Sequence, residues 1–116
     1  LLAEARKSWS ALVPEAHPIF VHALRAESSF ARDSGDLAHA ETAAREAIRR
    51  LEAAGSLPID LAIANTELAE IRHDRGDKAE ARALLAPALP IMRDALLPQE
   101  VSRVRAEALA KRLGLR

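Results

Sequence analysis

The sequence predicts an all-α fold, an α-solenoid of antiparallel helix pairs, from three observations. Alanine supplies 26 of the 116 residues and aromatics only 3%, a composition suited to helices packed closely through small side chains. All four glycines, together with Pro14, Pro18, Pro58 and Pro98, fall where an apolar helical pattern lapses and so act as punctuation. Sliding the chain by 41 residues superposes Gly35-Asp36 on Gly76-Asp77, Ala40 on Ala81, Ala47 on Ala88, Ile48 on Leu89, Leu51 on Met92, Phe30 on Ile71 and Ala23 on Ala64, the mark of internal repetition.

The spacing predicts about six helices. Residues 1–13 form the first, the second helix of a truncated unit, in which Leu2, Ala5 and Trp9 repeat Ala44, Ala47 and Leu51 at an offset of 42. It opens on Leu1-Leu2 without a capping residue and without Met. The chain is therefore expected to be a piece of a longer protein, with a homodimer through the exposed N-terminal helix as the expected consequence. Helices over 17–34 and 36–54 make the first full unit (17–54), and helices over 58–75 and 77–97 the second (58–97). The last, 99–113, carries Glu100, Arg103, Arg105, Glu107, Lys111 and Arg112 on one side and Val101, Val104, Ala108 and Leu109 at helical spacing, which predicts a solvating C-terminal cap.

Two joints use the same device. In Asp33-Ser34-Gly35-Asp36 and Asp74-Arg75-Gly76-Asp77 a glycine able to adopt positive φ ends one helix, and the following Asp accepts backbone N–H bonds that start the next. The remaining joints, at Pro14–Pro18, Gly55–Pro58 and Leu97–Glu100, are longer and carry proline. Pro87 and Pro90 lie inside a predicted helix; each removes a backbone donor and presses on the carbonyl four residues back, so the helix is expected either to kink there, with both rings toward solvent, or to break at Ala86 and restart.

The repeated pattern resembles the tetratricopeptide repeat family. Leu68-Ala69 sits at that family's Leu-Gly position, Gly76-Asp77 at its inter-helix turn, and Ala81, Leu85 and Ala88 at the Ala, aromatic and Ala positions of its second helix. Ser28, Gly35-Asp36, Ala40, Ala44 and Ala47 occupy the corresponding places in the first unit, with Glu27 where Leu is usual. The 41-residue period is similar to the long-helix variety in kinesin light chains and at the C-terminal end of some bacterial Ser/Thr protein kinases. The resemblance spans 1–116 as a single array and implies a right-handed solenoid.

Composition and motifs narrow the functions. Lysine and arginine together number 17 against 17 acidic residues, so there is no basic excess to hold nucleic acid or an anionic membrane. The longest run without charge, Ala83 to Met92, is too short to span a bilayer. With no cysteine, thiol chemistry and cysteine metal sites are excluded. His17, His22, His39 and His73 show no metal-ligand spacing, the glycines form no phosphate cradle, no serine sits in a Gly-x-Ser-x-Gly elbow, and Glu67 with Glu70 reads as a charged helix face. No catalysis and no cofactor are expected, and a cytoplasmic location is.

What remains is a surface. In tetratricopeptide-like arrays the first helix of each unit lines a concave groove, and the resemblance carries that role to His22, Arg25, Ser29 and Arg32, then Ile63, Thr66, Glu70 and His73, then Val104, Glu107 and Lys111. Arg25 and Arg32, two turns apart, suit a carboxylate-bearing peptide. The expected function is a protein–protein interaction scaffold within a larger bacterial signalling protein such as a Ser/Thr kinase. The alternatives are a merely solvated groove, or an intramolecular regulatory or oligomerisation domain of a parent enzyme or transcription regulator.

Overall fold

The computed structural model of the chain describes residues 18–116. The expected helix over 1–13, and the dimer contact expected through it, lie outside the described residues. Five helices follow in order: α1 (Pro18–Asp33), α2 (Leu37–Ala53), α3 (Pro58–Asp74), α4 (Lys78–Ala95) and α5 (Val101–Leu113). No strand occurs among the described residues. The chain divides into two compact units, Leu1–Gly55 and Ser56–Arg116, with the boundary in the proline-bearing joint before α3.

The two tight turns are built alike. Gly35 and Gly76 take φ of +85° and +87°, which a side chain would resist. The N–H of Asp36 donates to the Ala31 carbonyl at 2.8 Å and that of Asp77 to the Arg72 carbonyl at 2.9 Å. These six-to-one bonds close a Schellman turn and satisfy carbonyls that the helix end would otherwise leave open. The carboxylates then start the next helices: Asp36 accepts from the His39 N–H at 3.1 Å and Asp77 from the Glu80 N–H at 3.0 Å. In the second turn Arg72 adds a clamp, with Nη2 donating to Asp77 Oδ2 at 2.6 Å and Nε lying 3.1 Å from Glu80 Oε2.

Within the first unit α1 and α2 pack through Leu24, Ala43 and Ala47, with Val21 at the margin. Ala40 is wholly buried, and the Ser28 hydroxyl donates to its carbonyl at 2.8 Å, so this buried hydroxyl is paired. The Arg50 guanidinium stands 5.3 Å from the centroid of the buried Phe20 ring, a cation–π contact that ties the C-terminal part of α2 to the start of α1.

The core of the second unit is built from Ala62 and Ala69 of α3, Ala81, Leu85, Ala88, Leu89 and Met92 of α4, and Ala106, Leu109, Ala110 and Leu113 of α5. Small residues let the helices approach while Leu and Met fill the space between them. Helix α4 runs unbroken through Pro87 and Pro90, so it does not restart at Ala86, and both rings are exposed, where water can reach the carbonyls they free. It ends at Ala95, two residues before the expected end, because Leu96 is extended (φ −116°, ψ 145°) and Leu97 precedes Pro98. Arg103 Nη1 donates to the Leu96 carbonyl at 2.9 Å and closes that end. Helix α5 ends on Gly114 at φ +72°, with Leu115 N–H donating to the Ala110 carbonyl at 2.8 Å and the Leu115 side chain packing on the core.

Burial of apolar residues departs from the repeat match in one place and from the helical spacing in another. Phe30 does not share the burial of its repeat partner: it is 60% exposed, whereas Ile71 is 2% exposed. The last helix buries Ala106, Leu109, Ala110 and Leu113; of the four apolar residues read at helical spacing only Leu109 is buried, while Val101 and Val104 are 72% and 50% exposed and Ala108 is exposed. The two stripes have the same helical period, and α4 receives the one that carries two leucines.

Ion pairs join the helices of the second unit. Arg93 on α4 meets Glu107 on α5 through two bonds, Nη2 to Oε1 at 2.7 Å and Nε to Oε2 at 2.9 Å. The hydrogen bond from Arg93 holds the Glu107 carboxyl below its ordinary pKa. Asp77 is lowered chiefly by the Glu80 N–H and then by Arg72, and Glu46 chiefly by its bond from Arg49. Carboxyls depressed in the folded state stabilise it above their unfolded pKa, and the contribution is lost as pH falls through the folded value. The melting temperature should therefore be flat near neutrality and drop on acidification below about pH 4. Glu107→Gln should make that drop shallower; an acid slope equal to that of the unmodified chain would show that this pair contributes nothing.

Candidate functional site

The first unit presents the exposed face of α1. His22 and Ser29, both expected on the groove, are exposed there, as is Ala26 one turn from each, and Arg25 and Arg32 are half-buried at its flank. Phe30 lies four residues from Ala26 and so stands above it along the helix. The sequence reading did not single it out, because Phe30 entered only as the repeat match of Ile71. The available signal was Glu27, which the same register placed where the second unit has Leu68: a unit that differs in polarity at one inward position need not keep the next one.

The same unit carries a cleft of about 730 Å³ between α1 and α2, lined by Leu24, Glu27, His39, Thr42, Glu46 and Arg49 among others. Glu27 is 5% exposed, with Oε1 3.6 Å from His39 Nε2. Neither residue was singled out from the sequence as a binding group.

The second unit engages most of its expected groove residues internally. Thr66 is 2% exposed; its hydroxyl donates to the Ala62 carbonyl at 2.9 Å and lies 3.2 Å from Met92 Sδ. It is a core residue, and its place on the groove is corrected. The spacing could have shown this, since Thr66 falls four residues after Ala62 and three before Ala69, inside the small-residue stripe that meets α4. Glu107, 41 residues on, is turned the same way toward Arg93 of α4, with Arg103 Nε 3.6 Å away. Ile63 is half-buried against the core. Glu70 is half-buried and takes two bonds from Arg105 of α5, at 2.6 and 3.3 Å. His73 is half-buried with Nδ1 4.0 Å from Asp74, while Val104 and Lys111 are exposed.

No group of three or more His, Asp or Glu that could hold a metal ion occurs among the described residues. No described helix is long and apolar enough to cross a membrane. The architecture defines an all-α protein of successive helix pairs, consistent with a helical-repeat fold. No protein-family model matches the chain, and no curated protein or solved structure matches it either.

Proposed function

We propose that the two units are tetratricopeptide-like repeats of the long variety and that the chain is a non-catalytic protein–protein interaction scaffold, part of a larger bacterial signalling protein such as a Ser/Thr kinase. The repeat reading is supported by the matched turns: the same positive-φ glycine, the same six-to-one bond and the same Asp cap recur at an offset of 41.

A short peptide segment is the proposed partner, and the exposed α1 face is where it binds. The observation that carries this is Phe30, a large aromatic left in water on a helix whose other face is well packed; aromatic side chains of this kind serve as interface anchors. Arg25 and Arg32 supply positive charge at the other flank of the same face, so the segment is expected to lie across the helix and to carry carboxylates on one side and an apolar residue on the other.

The test is binding of an array of short acidic peptides by the purified chain, with Phe30→Ala and the double variant Arg25→Glu/Arg32→Glu alongside. Removing the anchor should weaken the best binders about tenfold or more, and reversing the two charges should abolish them. Equal capture by all three proteins would remove the α1 face from consideration.

A further inference from the structure

The outward face of α5 is unaccounted for by peptide binding on α1. Val101, Val104 and Ala108 lie at helical spacing and are all exposed, forming an apolar stripe on the side of α5 opposite Ala106, Leu109, Ala110 and Leu113. The ends of this stripe differ in charge. Glu100 precedes it, and Lys111 and Arg112 flank its far end; all three are exposed, and no ion pair joins any of them to another described residue. A face that is apolar in the middle, acidic at one end and basic at the other is complementary to itself when turned end for end.

We propose that a second copy of this chain docks antiparallel on this face, α5 against α5 about a two-fold axis near residue 106. In that register Val104 meets the partner's Ala108, Val101 lies along the aliphatic stem of the partner's Lys111, and Glu100 faces the partner's Arg112. Each contact occurs twice, as an isologous interface requires. The charges select the antiparallel orientation, since parallel copies would set like charges side by side at both ends. A 13-residue helix offers less area than the roughly 1,200 Å² or more of a standard stable interface, so the dimer is weak and concentration-dependent.

Sedimentation of the full chain over a concentration series tests this. The mass should rise from 12.6 kDa toward twice that value at high concentration, and Val104→Glu should hold the chain monomeric with its helix content unchanged. Charge exchange separates the proposal from a loss of folding. Glu100→Lys and Arg112→Glu should each be monomeric alone, yet a mixture of the two should associate, because each then offers the charge the other needs. A chain that stays monomeric throughout, a Val104→Glu variant that still dimerises, or a mixture of charge variants that fails to associate would each overturn it. The α1 face is untouched by these substitutions, so peptide capture should be the same in all of them.

Discussion

Leu85→Ala should destabilise the second unit by about 2–5 kcal/mol, the range for truncating a fully buried leucine. Leu85 is wholly shielded from solvent in the middle of α4, in the core to which α3 contributes Ala69 and α5 contributes Leu109. Small domains are stable by only about 5–15 kcal/mol, so the effect is a large part of the total and should appear as a marked fall in the denaturation midpoint. Leu97→Ala is the matched control: Leu97 is 58% exposed, and its truncation should change stability by less than about 0.5 kcal/mol. Equal effects of the two substitutions would mean that Leu85 does not occupy the core position described.

Ala81→Leu should cost about 1–3 kcal/mol through the opposite fault, overpacking. Ala81 has no exposed surface and stands one turn after Asp77, where α4 first closes on α3. The added atoms have no cavity to enter and must push the helices apart. The repeat gives this substitution a twin, since Ala40 is equally buried at the equivalent place in the first unit. Ala40→Leu should therefore destabilise by a similar amount, and it carries a further penalty if displacement of the backbone breaks the bond from the Ser28 hydroxyl to the Ala40 carbonyl. An unchanged midpoint for either variant would refute the equivalence of the two units in register.

How much of the site was legible follows from the same distinction between local and distant causes. On α1 it was legible in part: His22 and Ser29 are exposed as read from the sequence, whereas Arg25 and Arg32 are half-buried, Glu27 is buried and Phe30 lies in water. On α3 it was not legible. That helix buries Ala62, Ala64, Thr66, Leu68, Ala69 and Ile71, residues that point in several directions, so no single stripe marks its inner face. Thr66, read as a groove residue, belongs to the core for that reason. Glu107 shows a second limit: a charged residue at a contact between helices reads as a surface residue until its partner is known, and Arg93 is 14 positions away on another helix.

The sequence by itself determined the helices, their order and the turns that repeat at an offset of 41, because caps, positive-φ glycines and prolines act within a few residues of where they stand. Only the tertiary structure decided how each helix is rotated about its axis. In α5 two apolar stripes compete, and burial went to Leu109 and Leu113 with Ala106 and Ala110, leaving Val101 and Val104 in water. Periodicity is a property of one helix, whereas the choice between two stripes of equal period is made by the shape of the surface they meet.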